Sequence, residues 1–355
     1  MTPPSVELLK RLTEASGVSG NEAEVRSVFV EELTGHAEVI RDRMGGIVFR
    51  KEGTSENPRV MLAAHTDEIG FMVRAITREG FIKIVTIGGW WNHIIPGTRV
   101  QVLTPEGKIT GIIGIKPPHL LNLQEKKEVL ELKDMAVDVG AASQEEARAM
   151  GIAAGQWIVP VSPFYTQNGG KILAGKAFDD RVGCALVIEV IKHASGFPCT
   201  LFGVGTVQEE VGLRGALPAA EVVQPDVCIV LEGSPASDFF GNNHDDCQGV
   251  LGDGVQIRLF DPTMIPNPAL KQFMLDLAEA RKIPYQVLVR DRGGTDAGRI
   301  HLHGQGVPTI VLAVPVRYAH SPTGLIHVDD YTNSLRLLME AVMELDAAKV
   351  ESFVS

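Results

Sequence analysis

In the segment AAHTDEIG, an imidazole and a carboxylate stand two residues apart, at His65 and Asp67. The apolar run VMLAA ahead of them predicts a strand, and strand positions two apart share a face. A metal-binding imidazole needs its second ring nitrogen held by a carboxylate or carbonyl. Asp67 suits that task for His65, or could bind metal itself; a polar turn at a strand end would carry the same residues.

Four further segments offer compatible groups. KAFDDRVG places Asp179 and Asp180 at the start of a predicted helix. Capping and the helix dipole favour Asp there, but a carboxylate can also bridge two cations with one oxygen on each. In TVQEEVGLRGA, Glu209 and Glu210 leave an apolar strand for a Gly-rich turn, a favoured place for catalytic groups in α/β folds. Glu232 ends the nearly all-apolar DVCIVLEG, where a charge is costly unless it meets a cation. His320 follows another apolar strand in VPVRYAHSPTG. Each segment has a bland explanation alone, whether a cap, a solvated pair or a structural histidine. Together they put acids and histidines at the ends of separate strands, which converge on one edge of a mainly parallel sheet. Two histidines with three or four carboxylates suit zinc, cobalt or manganese. Two such ions polarise a carbonyl and generate hydroxide from a bridging water. A further carboxylate, not a ligand, then acts as base and delivers the proton to the leaving amine.

The elements that must position these groups follow from periodicity. Residues 5–34 carry apolar positions at helical spacing, Val6, Leu8, Leu9 and Leu12, then Val25, Val28, Phe29 and Leu33. The GVSGNE break divides two helices, with Ser19 or Asn21 expected to cap the second. Two strands follow, the second running into His65. From Phe71 to Pro160 short β-rich pieces (FMVRAI, GFIKIVTI, TRVQVLT, GKITGIIGI) are punctuated by Gly and Pro, as in a small barrel. From Lys171 strands and helices alternate to the closing helix DDYTNSLRLLMEAVMELDAAKV. That pattern predicts an α/β sheet flanked by helices, with the β-rich region inserted.

The 355 residues suit about two domains. No apolar run reaches the roughly 20 residues that span a bilayer. The N-terminal stretch lacks a basic-then-apolar leader layout, so a cytoplasmic protein is expected. A net charge of −11 argues against nucleic acid or an anionic membrane as partner. Cys184, Cys199, Cys228 and Cys247 form no C-x-x-C pair, and Cys184 and Cys228 read as buried apolar residues.

In chain order, the segments GVSGNE, AAHTDEIGFMV, DVGAASQEEA, GKAFDDRVG, VQEEVGLRGA, GGTDAG and VPVRYAHSP resemble those of the M42 metallo-aminopeptidases, the tetrahedral-aminopeptidase group. The resemblance spans nearly the whole chain. It implies a mixed α/β sheet flanked by helices, with a catalytic domain at 1–70 plus 161–355 and a dimerisation domain of small β-barrel type at 71–160. It implies two divalent ions per subunit (zinc, cobalt or manganese), short peptides as substrates, and dimers assembling into hollow dodecamers. His65 would bind one metal, oriented by Asp67, with Glu232 completing that site. Asp179 would bridge both metals and precede a cis peptide to Asp180. Glu210 and His320 would bind the second metal, and Glu209 would be the general base. Thr295 and Asp296 would shape the substrate pocket or support the metal site, and Gly293, Gly294 and Gly298 suit an unusual turn there.

Two features depart from the pattern. Many aminopeptidases of this clan place Asp where Glu232 stands. The polar stretch at 241–249, with His244, Asp245 and Asp246, reads as a solvated loop near the substrate pocket rather than another metal site. His301, His303 and His327 read as structural or surface residues and Arg292 as exposed, while His93 and His119 lie in the inserted region and gain nothing from the metal argument. Glu232 leaves room for a deacylase or carboxypeptidase on the same scaffold. A glycosidase would need paired carboxylates without metal-type histidines, and a non-catalytic assembly protein would be expected to have lost ligands or base.

Overall fold

The computed structural model describes residues 5–243 and 247–355. His244, Asp245 and Asp246 lie outside the described residues. The chain opens with helices α1 (Val6–Glu14) and α2 (Ala23–Leu33). Ser5 caps α1 by accepting from Leu8 N–H. Neither Ser19 nor Asn21 caps α2: Glu22 holds the cap position without a side-chain bond, and the Ser19 hydroxyl is spent on Asp67 at 2.6 Å.

Strands β1 (Glu38–Arg41), β2 (Ile47–Glu52) and β3 (Arg59–His65) come next. Six strands then close a barrel: β4 (Gly70–Ile76), β5 (Ile82–Ile87), β6 (Arg99–Thr104), β7 (Gly107–Gly114), β8 (Ala136–Asp138) and β9 (Trp157–Pro160). The insertion also contains helix α3 (Gln144–Ala149). The barrel has its own core, built around Phe71, Ile82, Val100, Ile113, Val137 and Ile158.

The chain returns through β10 (Tyr165–Gln167) and β11 (Ile172–Gly175) to helix α4 (Phe178–His193). It continues as β12 (Thr200–Thr206), α5 (Ala216–Val223), β13 (Val227–Pro235), β14 (Val255–Phe260), α6 (Pro268–Ala280) and β15 (Tyr285–Val289). Last come α7 (Ala297–Ile300), β16 (Thr309–Val316), β17 (Gly324–His327), α8 (Val328–Glu344) and α9 (Ala347–Glu351). The expected single closing helix is therefore two, broken at Leu345, which is non-helical; the Asp346 side chain starts α9 by accepting from Lys349 N–H. Strands β10, β11 and β17 pair as a small separate sheet that the alternation did not predict.

The main sheet has eight strands in the order β1-β2-β12-β3-β13-β16-β14-β15. Its central strands β12, β3, β13 and β16 are parallel, while β2 and β14 pair antiparallel to their inner neighbours. Central parallel strands are covered on both faces and so read as continuous apolar runs. Within β3, Val60, Leu62 and Ala64 join the larger core with α1, α4 and α8, whereas Met61 and Ala63 meet α5 and α7 on the other face. The same two-residue period runs through Cys228 and Val230 of β13 and Phe202 and Val204 of β12. Extended to the strand ends, it puts His65, Glu232 and Thr206 on one face. Among the described residues no helix is long and apolar enough to cross a membrane.

Candidate metal centre and substrate cleft

β3 ends at His65, so Asp67 lies just beyond the strand rather than on it. His65 Nδ1 faces the Asp67 carbonyl at 3.2 Å and the Asp67 carboxylate at 3.5 Å. That carboxylate also accepts from the backbone N–H groups of Glu209 (2.9 Å) and Glu210 (3.1 Å). With the Ser19 hydroxyl it ties the end of β3 to the loop after β12.

Asp179 and Asp180 depart from helical geometry at the head of α4, and the peptide between them is cis. The two side chains diverge. Asp180 accepts from His65 N–H (3.1 Å) and Gly183 N–H (2.9 Å) and braces the strand end. Asp179 points at both histidines: its Oδ1 is 3.1 Å from His65 Nε2 and its Oδ2 is 3.4 Å from His320 Nε2. Gly233 makes room for this, because a Cβ there would stand 2.5 Å from Phe178 O and 2.8 Å from the Asp179 backbone.

β3 and β13 pair in parallel through Val230 and Ala63. His65 and Glu232, each two residues further on, therefore emerge side by side, with Glu232 Oε2 3.8 Å from His65 Nε2. Glu232 does not end its strand, since β13 runs on to Pro235. Across the site, Glu210 Oε1 lies 3.3 Å from His320 Nε2. Two groups of ligand-type atoms result, His65–Asp179–Glu232 and Asp179–Glu210–His320.

The electrostatics decide what such groups can hold. Burying an unpaired carboxylate costs several kcal/mol even after relaxation. Among the described residues Asp179, Glu210 and Glu232 have histidines as their only ion-pair partners. Burial, reinforced by the neighbouring acids, pushes the carboxyls of Glu209 and Glu232 well up and that of Glu210 up. Burial works against the charge of His65, yet its bonds to Asp179 and Asp67 hold it well above the usual imidazole range. His320 is likewise opposed by burial and is raised by Asp179 and Glu210 to about 12. Asp179, despite burial, is held low by the two histidines. Borderline divalent cations, which take imidazole and carboxylate ligands, fit this excess of anionic ligands.

His320 Nδ1 donates to the carbonyl of Gly89, 2.9 Å away. Gly89 belongs to the β5–β6 connection, so the inserted barrel orients this imidazole. Sequence reasoning missed that contact, as well as the brace at Asp180. A glycine pair at 88–89 was the one available signal, and no spacing rule links it to residue 320. Neither ligand group takes a residue from His93, His119, His301, His303 or His327. His301 Nδ1 instead bonds Ala297 O, and His327 accepts from Asp329 N–H. Left-handed backbone gathers around the centre at Ala177, Gln208, Tyr318 and His320, conformations that non-glycine residues hold only when their surroundings impose them.

The ligand groups open into a cleft of about 570 Å³ that also holds Glu209, Thr295, Arg258, Arg290 and Arg292. Thr295 lines it. Asp296 is not among the lining residues: it accepts from Thr206 Oγ1, at the end of β12, and burial pushes its carboxyl up to about 6. Glu68, one residue past Asp67, forms a buried ion pair with Lys176 (2.6 Å) and Arg181 (3.2 Å). All four cysteines are free, and Cys184, Cys199 and Cys228 are buried.

The sequence profile described as M42 glutamyl aminopeptidase matches residues 45–337. The fold is similar to that of a TET aminopeptidase from the marine sediment archaeon Thaumarchaeota archaeon SCGC AB-539-E09, with a TM-score of 0.95, 43% identity and 98% of each chain covered. It is also similar to the Pyrococcus horikoshii TET1 peptidase, described as assembling into a tetrahedron or a large octahedral shell; the TM-score is 0.85 at 31% identity, covering 96% of this chain and 99% of that one. In sequence the chain is 33% identical over 343 residues to the lysyl aminopeptidase of Pyrococcus furiosus, covering 96% of this chain and 97% of that one.

Proposed function

The chain belongs to the M42 glutamyl aminopeptidase family and is an aminopeptidase, a hydrolase, and from that premise we propose how its side chains divide the work. His65, Asp179 and Glu232 would hold one divalent ion, and Asp179, Glu210 and His320 would hold a second, with Asp179 common to both groups. Zinc, cobalt and manganese all match these ligands. Ions bound there would supply Lewis-acid polarisation of the scissile carbonyl and acidification of the attacking water.

The protein's own groups do the rest. Glu209 takes a proton from the attacking water and passes it to the nitrogen of the leaving amine. It belongs to neither ligand group, shares the cleft with both, and has a carboxyl raised by burial. Asp67 holds Glu209 and Glu210 by their backbone N–H groups and so keeps base and ligand in register. The free amino end of the substrate meets the carboxylates beside the ions. Thr295 shapes the cleft wall, and Asp296 supports the strand end behind it.

The observation that carries this reading is the meeting of two ligand groups at Asp179 with one acid, Glu209, left over. Glu209→Gln tests it. The variant is expected to keep its metal content and lose roughly 10²–10⁴-fold in kcat. Full peptidase activity with metal bound would sink the assignment.

The chain divides on this reading into a catalytic domain (1–70 plus 161–355) and an inserted dimerisation domain (71–160). Exposed Leu120, Leu123 and Val129 on the insertion support an interface there. Dimers placed along the edges of a tetrahedron, the shape described for the horikoshii relative, make a dodecamer. Enclosure in such a shell limits substrates to short peptides, and the setting is cytoplasmic.

A further inference from the structure

A second cluster of buried charge lies beside the ligand groups without belonging to either. Glu68, Lys176 and Arg181 are 2%, 5% and 0% exposed. Lys176 Nζ donates to both oxygens of Glu68, at 2.6 and 2.7 Å. The same carboxylate accepts from Arg181 at 3.2 Å and from Gly17 N–H at 3.0 Å. Two cations therefore share one buried carboxylate. Their other donors go to the end of α1. Lys176 donates to Ala15 O at 2.9 Å, and Arg181 donates to Leu12 O at 2.8 Å and Ala15 O at 3.4 Å. Carbonyls at a helix C-terminus lack partners within the helix, and the negative end of its dipole favours cations. A buried ionic network is a poor source of stability, because desolvation offsets the attraction. What it does supply, when its members are hydrogen-bonded, is fixed separations between the segments it joins.

Those segments are the ones that carry the metal centre. Glu68 directly follows Asp67, which faces the His65 ring and holds the backbone of Glu209 and Glu210. Lys176 and Arg181 flank Asp179, three residues before it and two after. Ala177 is left-handed, and Asp179 and Asp180 are non-helical. Helix geometry alone therefore does not aim the Asp179 side chain. The two cations tie both flanks of this segment to the residue after Asp67. Glu68 and Lys176 also line one cavity with Asp179, Glu210 and His320, so the network borders the second ligand group as well.

We propose that Glu68, Lys176 and Arg181 are positioning residues for the metal centre, a clamp that sets the separation between Asp179 and His65. The inference rests on the ligand assignment above and adds what fixes its spacing. None of the three belongs to either ligand group, so each acts through the backbone it holds.

The test is calorimetric titration of Co²⁺ alone into the metal-stripped full chain. Lys176→Met is the mildest cut, because Glu68 keeps Arg181 and Gly17 N–H and is not left as an unpaired charge. Affinity for both ions is expected to fall about 10–100-fold, as for other groups that orient ligands from behind, since Asp179 serves both. Lys176→Arg restores the charge and should recover part of the loss. With both sites saturated, kcat on the aminoacyl p-nitroanilide that the wild type cleaves best should fall on the order of tenfold, while KM moves less than about twofold. Glu68→Gln is the second variant. It keeps one acceptor oxygen and should show a smaller loss of the same kind. Co²⁺ affinities within about twofold of wild type in either folded variant would overturn the proposal. So would a lowered melting temperature with affinity and kcat unchanged, the mark of a purely structural network. Failure of the ligand assignment looks different, with Asp179→Ala still binding two Co²⁺ ions as the wild type does.

Discussion

The two ligand groups share Asp179 and differ in almost everything that holds them. His65 and Glu232 stand at adjacent strand ends of the central sheet, their side chains only 2% and 7% exposed. His320 sits on a left-handed loop residue with a 39% exposed side chain, and its ring is oriented by the inserted barrel at Gly89. One half of the centre is set by sheet register, and register cannot slip by one residue without turning a buried face outward. The other half depends on two units of the chain packing correctly against each other. The difference teaches that a symmetric ligand list can conceal an asymmetric support: one half buried inside one core, and a more exposed half on the cleft.

Substitutions graded by how much support they remove can break or sharpen this contrast. Asp179→Ala removes the shared ligand and should strip both ions and all peptidase activity; a variant that still held one ion per subunit would show that the halves are independent. Asp67→Ala comes next. It removes the carboxylate that accepts from Ser19, Glu209 and Glu210 and faces the His65 ring, so metal affinity should fall about 10–100-fold. Calorimetric titration should find weakening at both ions, because Asp67 spans the two halves; weakening at one alone would place the division differently. Gly89→Ala should have the smallest effect. Its Cβ would stand 3.2 Å from His320 Nδ1, so the ring must shift by a few tenths of an ångström. Affinity for the second ion should drop less than about tenfold with the first unaffected, and equal loss of both ions would erase the asymmetry.

Much of the centre was legible because buried charge is improbable without a partner. Glu232 within VCIVLEG and His65 after VMLAA are anomalies in apolar strands, and parallel strands bring their like ends together. From residue type alone Asp179 and Asp180 were legible as a pair but not as separate functions, and only the family resemblance singled out Asp179. Nothing in DD says which side chain reaches the ligands and which braces the His65 backbone; that follows from the backbone path at the head of α4. Ser19 shows the opposite error. Its type and place suited a helix cap, but a nearby carboxylate offered a charge-assisted bond instead. The six-stranded closure of the barrel was only partly visible, because β8 and β9 span just three and four residues and carry almost no periodic signal. The small sheet of β10, β11 and β17 joins segments some 150 residues apart, beyond the reach of any local pattern.

The sequence by itself determined the chemistry available to this protein: which residues bear metal-binding atoms, which strands are buried, and where the β-rich insertion interrupts the alternating order. These properties are local, since side-chain type and the periods of strand and helix act over a few residues. Only the tertiary structure decided how that chemistry is shared out. It divided Asp179 from Asp180, lent the barrel's Gly89 carbonyl to His320, and brought Lys176 and Arg181 together on the Glu68 carboxylate. Those outcomes depend on distances between segments far apart in the chain, which burial and packing fix only once the whole sheet has assembled.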